Sequence, residues 1–245
     1  MFLRSIRLRH SNSSLPNAYP FSIPAIRNIK ELVFDSSVTF FCGENGSGKS
    51  TLLEAIAYQC GFNTAGGSRS NFYDADASQS DLGEYLQLSW FPKTSSGFFF
   101  RAESFFQFAS HIDEQAKMHP SALESYGGKS LHHQSHGESF LSLFTNRLGS
   151  GNAIYLLDEP EAALSPQRQL SLIRIIHDLT REGEAQFIIA THSPILLGYP
   201  NASIRLFGDG EIVETEYERT EHYQLTKYFL DHREKLLAEI FKDEE

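Results

Sequence analysis

The sequence predicts an α/β fold, a mainly parallel sheet flanked by helices, and three stretches carry that prediction. Residues 153–158 and 186–191 are short apolar runs of the kind that parallel sheets bury on both faces. Between them Leu170, Ile173, Ile176 and Leu179 recur at helical spacing. Residues 38–42 form a third apolar run that ends in a glycine-rich turn, and Leu52, Leu53, Ile56 and Ala57 then give residues 50–60 a helical pattern.

The other elements are read around this frame. Residues 2–8 read as a strand, and residues 11–25, rich in Ser, Asn and Pro, as a loop. Residues 63–80 lose all periodicity. Residues 84–91 and 97–103 are aromatic-rich and separated by Pro92-Lys-Thr-Ser-Ser, which predicts an antiparallel β hairpin. Residues 105–148 read as mainly helical. Residues 203–207 and 211–215 predict a second hairpin around Gly208-Asp-Gly, followed by a charged amphipathic helix over about residues 221–241 with a solvated face. Phe98, Phe99, Phe100, Phe105, Phe106 and Phe108 put six Phe in eleven residues. Three consecutive Phe cannot share one side of a strand, so at least one must face the opposite side, and burial between the hairpin and neighbouring helices is expected.

With 245 residues, 40% of them hydrophobic, the chain can build a substantial core, and a single domain over residues 1–245 is expected. A small helical subdomain would occupy about residues 104–148, and the C-terminal hairpin and helix about residues 201–245. The 31 Asp+Glu outnumber the 21 Lys+Arg, for a net charge of −10, which argues against indiscriminate binding to a phosphate backbone. Cys42 and Cys60 are too few for a disulfide framework and fall in segments that read as buried, so a reducing, cytoplasmic setting is expected. No apolar run is long enough for a membrane span or a signal peptide, and no direct membrane insertion is expected.

Gly43-Glu44-Asn45-Gly46-Ser47-Gly48-Lys49-Ser50 fits G-x-x-x-x-G-K-[ST], with a strand before it and a helix from Thr51 onward. The glycines let successive backbone N–H groups converge on one phosphate, and the helix adds the positive end of its dipole. Lys49 is placed to bridge the β- and γ-phosphates, and the Ser50 hydroxyl to ligate Mg²⁺. The apolar strand ending in Asp158-Glu159 supplies the acidic partner: Asp158 to hold the metal, Glu159 to take a proton from attacking water.

In this order of motifs the chain resembles the ATP-binding-cassette (ABC) ATPases, in the broad sense that spans transporter subunits and chromosome-maintenance and repair ATPases. Ser135-His136-Gly137-Glu138 resembles the signature segment, with His136 in place of a glycine. The resemblance implies that Ser135 and Gly137 grip a γ-phosphate bound to a second subunit, so a head-to-tail homodimer with two composite ATP sites is expected. A zinc site from His132, His133 and His136 is the competing use of that segment. Pro160-Glu161-Ala-Ala-Leu-Ser165 occupies the D-loop position, in a form closer to the non-transporter branch. His192, after residues 188–191, corresponds to the switch histidine that contacts the γ-phosphate.

The resemblance covers residues 2 to about 207 and further implies a glutamine near the metal, for which Glu103 is the first candidate and Gln107 the second. It also implies an aromatic for adenine, Tyr19 or Phe21. ATP and Mg²⁺ are the expected cofactors. Two other functions remain open: the ATP-binding subunit of a membrane transporter, and a nucleotide-gated module that grips DNA or an effector protein. Only residues 50–134 separate Lys49 from Ser135, too few for a long coiled-coil insertion.

Overall fold

The computed structural model describes residues 1–9, 15–64, 66–67, 81–119, 123, 128, 151–208 and 210–244. In chain order the elements are β1 (Leu3–Leu8), α1 (Pro24–Arg27), β2 (Leu32–Val33), β3 (Val38–Gly43), α2 (Lys49–Cys60), α3 (Leu82–Tyr85), β4 (Leu86–Trp90), β5 (Ser96–Arg101) and α4 (Phe105–Met118). There follow β6 (Ala153–Asp158), α5 (Pro166–Arg181), β7 (Ala185–Ala190), α6 (Pro194–Leu197), β8 (Ser203–Phe207), β9 (Ile212–Thr215) and α7 (Glu221–Ile240).

Six strands form one sheet in the order β5-β6-β7-β3-β8-β9, parallel throughout except for β9, which pairs antiparallel with β8. The crossovers place β7 between β3 and β6. The chain segments that leave β3, β6 and β7 therefore emerge side by side at the carboxyl edge, where open α/β sheets hold their ligands.

Strand alternation sends each run to both faces. Val38, Phe40, Tyr155, Leu157, Phe187 and Ile189 pack toward α4, α5 and α6, while Phe41, Ile154, Leu156, Ile188 and Ala190 pack toward α2 and the smaller sheet. Because both faces are covered, β3, β6 and β7 are buried along their whole length. Phe98 and Phe100 join the first face and Phe99 the second, so the consecutive phenylalanines divide between two buried layers, as the alternation argument requires. No helix among the described residues is long and apolar enough to cross a membrane.

The expected hairpin over residues 84–103 does not form. The chain leaves one sheet and enters the other: β4 pairs antiparallel with β1 in a three-stranded sheet β2-β1-β4, whereas β5 pairs in parallel with β6. Only every second position of β4 has a core to face, while Phe98, Phe99 and Phe100 are all buried, a demand that a one-sided hairpin cannot meet. The C-terminal hairpin forms as expected, as does the helix after it, with a kink at His232.

One polar side chain ties the two sheets together. Gln186 is fully buried in β7; its Oε1 accepts the N–H groups of Phe2 and Leu3, both at 2.8 Å, and its Nε2 donates to the Leu3 carbonyl at 2.9 Å. Gln186→Leu keeps the volume and leaves those backbone groups unpaired in a dry interior. Each of the three costs about 1–3 kcal/mol, so a loss of at least about 3 kcal/mol is expected. For a domain of this size that lowers Tm by roughly 10 °C, measurable by calorimetry.

Candidate functional site

The turn after β3 is shaped by its glycines. At Gly48 (φ +100°) a Cβ would stand 2.9 Å from the Ile26 side chain, and at Gly43 (φ +134°) 2.5 Å from the Phe207 carbonyl oxygen, so a side chain at either position meets both strain and collision. Gly48 also begins α2 without a side-chain cap, which leaves the first helical N–H groups for an incoming anion. Lys49 is buried, and its Nζ donates to the carbonyls of Gly43 at 2.8 Å and Glu44 at 2.7 Å, folding the loop onto its own lysine. Burial depresses the Lys49 pKa against the opposing pull of Glu159, Cys42, Asp158 and Glu161.

Residues far apart in the chain meet here. Ser50 Oγ, in the first turn of α2, donates to Asp158 Oδ1 at 2.8 Å. Burial pushes the Asp158 carboxyl up to about 6, against the Ser50 hydrogen bond and the positive charge of Arg101. A carboxyl with a raised folded pKa costs stability above that pKa and nothing below its unfolded value. Asp158→Asn is therefore expected to raise Tm by a few degrees at pH 8 in metal-free buffer, and the gain should fade as pH falls through about 6 and vanish below about 4.

Glu159 sits in the left-handed region (φ +49°, ψ +51°), held there by its N–H, which donates to the Ala190 carbonyl at 2.9 Å. That conformation is unfavourable for a side-chain-bearing residue. Glu159 Oε1 stands 3.8 Å from His192 Nε2, just past the end of β7. The His192 N–H donates to Glu161 Oε1 at 2.6 Å, which fastens the turn after β7 to the short 3₁₀ helix Pro160–Ala163. Lys49, Ser50, Asp158, Glu159 and His192 thus share one edge of the sheet.

Sequence reasoning missed Arg101. It closes β5 in register with Asp158; its Nε is 3.7 Å from Asp158 Oδ2, its Nη1 3.1 Å from Glu54 and its Nη2 3.4 Å from Glu103. The available signal was a guanidinium at the end of a Phe run, which demands carboxylates, and one of them is the buried Glu54 in the apolar helix α2. Glu103 itself is largely exposed and pairs with Arg101, which also stands beside Asp158. Gln107 is exposed on α4. Phe21 is a core residue packed edge-on against Tyr85, so it offers no ring face, whereas Tyr19 is 57% exposed with its hydroxyl 3.0 Å from Thr51 Oγ1. Ser135, Gly137 and the histidines 132, 133 and 136 lie outside the described residues.

The donors suit a triphosphate and a hard cation. A hydroxyl and a carboxylate oxygen already touch where the cation would bind, and Ser47 Oγ in the phosphate loop is buried with no hydrogen-bond partner among the described residues. Among the described residues no cluster of three or more His, Cys, Asp or Glu could hold a metal.

Comparison with known proteins follows the same lines. A family model described as AAA domain matches residues 21–116, and one described as AAA ATPase domain matches residues 138–197. A Methanothermobacter thermautotrophicus protein named as an ABC transporter ATP-binding protein is 28% identical over 80% of this chain and 74% of its own length. The macrolide export ATP-binding/permease protein MacB of Marinobacter nauticus is 26% identical over 79% of this chain, which spans only 32% of MacB. Among solved structures, the ADP conformation of an ATP-binding cassette of an ABC transporter superposes with a TM-score of 0.50 and 16% identity over 98% of this chain and 99% of that one. The chain has the fold of a P-loop ATPase of the ABC type. A second neighbour in fold is an SMC head bound to the C-winged helix domain of ScpA, with a TM-score of 0.50 and 14% identity over 89% and 99% of the two chains.

Proposed function

We propose that this chain binds Mg²⁺-ATP and hydrolyses it as a head-to-tail homodimer with two composite sites. The observation that supports the reading best is the 2.8 Å contact between Ser50 and Asp158, which joins the phosphate loop to the acidic strand end 108 residues away. Lys49 would leave the Gly43 and Glu44 carbonyls for the β- and γ-phosphates, and the α2 N–H groups would cradle the same oxygens. Ser50 and Asp158 would hold Mg²⁺, whose charge would offset that of the phosphoryl oxygens. Glu159 would accept a proton from water, and His192 would contact the γ-phosphate. Glu103 is retained as an outer contributor at the metal, through Arg101. Ser135 and Gly137 would close the partner's site. Catalysis by this route is positioning and charge neutralisation, with no covalent intermediate on the protein.

The deciding experiment is phosphate release by the purified chain with Mg²⁺ and with EDTA, together with sizing in ATP. Turnover that needs Mg²⁺ and an ATP-dependent shift to twice the mass support the reading; absence of both binding and turnover contradicts it. The named relatives favour a second reading, an ATP-binding subunit for a membrane-embedded partner, which co-purification with a multispanning protein would support. Stimulation of turnover by duplex DNA, fading with salt, would point instead to a nucleic-acid clamp.

A further inference from the structure

His222 lies in the first turn of α7, beyond both stretches that the family models match. Its Nε2 is 2.6 Å from His192 Nδ1, and the two rings stand 4.8 Å apart. Two further contacts hold α7 in that place. Thr220 caps the helix by accepting the Tyr223 N–H, and the Tyr217 hydroxyl donates to the Pro194 carbonyl at 2.9 Å, two residues past His192.

The opposite side of the His192 ring faces the catalytic edge. Its Nε2 has no hydrogen-bond partner among the described residues and stands 3.8 Å from the Glu159 carboxylate. Burial first, then Lys49 and His222, bring His192 down to about 4, and burial followed by Lys49 lowers His222, so both rings are neutral at pH 7. Two neutral imidazoles share a hydrogen bond only if one offers N–H and the other a lone pair. The Glu159 carboxylate, too distant at 3.8 Å to hydrogen-bond, biases the pair: an anion facing Nε2 favours a proton on Nε2, which leaves Nδ1 of His192 as the acceptor and His222 as the donor that fixes it.

We propose that His222 is a positioning residue for the switch histidine: its Nε2–H donates to His192 Nδ1 and holds His192 as the Nε2–H tautomer, donor side toward Glu159 and the phosphate. The opposite tautomer would turn a lone pair toward an anionic γ-phosphate and repel it. The C-terminal helix, which no motif claims, thereby becomes part of the catalytic edge. The catalytic consequence rests on the reading of His192 as a γ-phosphate contact; the tautomer does not.

The test compares His222→Ala with His222→Gln, whose amide can donate from nearly the same place. Imidazole ¹⁵N–¹H spectra of the nucleotide-free protein, with the His192 signals assigned by their loss in His192→Ala, should show the Nε2–H tautomer in the unmutated chain and in His222→Gln, and a mixture in His222→Ala. An unchanged His192 tautomer in His222→Ala overturns the proposal. In turnover, His222→Ala should lower kcat by about tenfold or more with KM for ATP within about twofold, His222→Gln should recover the rate, and the effect should vanish on a His192→Ala background. An equal fall on that background overturns the proposal. Should the unmutated chain hydrolyse no ATP, the functional reading falls on its own, and the spectra alone uphold or overturn the tautomer assignment.

Discussion

Glu159→Gln is expected to bind Mg²⁺-ATP within about twofold of the unmutated affinity while turnover falls by about 10²–10⁴-fold, the usual worth of a positioned general base. The substitution is nearly isosteric. It keeps the backbone N–H that donates to the Ala190 carbonyl, and with it the left-handed conformation at this position. It removes only the proton acceptor 3.8 Å from His192. A subunit that binds ATP and cannot consume it should accumulate as the dimer, so sizing in Mg²⁺-ATP should show a stable species of twice the mass. Hydrolysis at the unmutated rate would show that Glu159 is not the base.

Lys49→Ala should abolish turnover and weaken nucleotide binding by about 100-fold, the equivalent of one or two hydrogen bonds between a charged donor and phosphate oxygens. Lys49 is buried against Gly43 and Glu44, so it approaches the phosphates already stripped of most of its water, and burial has lowered the cost of handing its proton-bearing head from two carbonyls to an anion. At an ATP concentration about 100-fold above the unmutated Kd, Mg²⁺-ATP should raise the Tm of the unmutated chain by mass action and that of Lys49→Ala by far less. A nucleotide-dependent shift of equal size in both proteins would remove Lys49 from the site.

What the sequence made legible was local. The run from β3 through the glycines into α2 is read from adjacent residues, and the strand ending in Asp158-Glu159 from its own apolar pattern; both stand where they were expected. What it hid depends on partners distant in the chain. The pairing of β4 and β5 was misread because a short polar spacer looks the same whether the chain turns back or crosses between sheets, and only the burial of three consecutive Phe tells them apart. Arg101 joins the candidate site through register with Asp158, 57 positions on, and His222 through a helix that docks 30 residues beyond His192. Gln186, the clamp between sheets, is a single polar letter in an apolar run, and its partners lie more than 180 residues earlier.

The central claim is that one triphosphate and its metal bring Lys49, Ser50 and Asp158 together. A crystal structure with Mg²⁺ and a non-cleavable ATP analogue tests it most directly. The account predicts Lys49 Nζ released from Gly43 and Glu44 onto the β- and γ-phosphates, with Ser50 Oγ and Asp158 on the metal side. Nucleotide bound elsewhere, or a Lys49 still seated on its two carbonyls beside bound nucleotide, would contradict it.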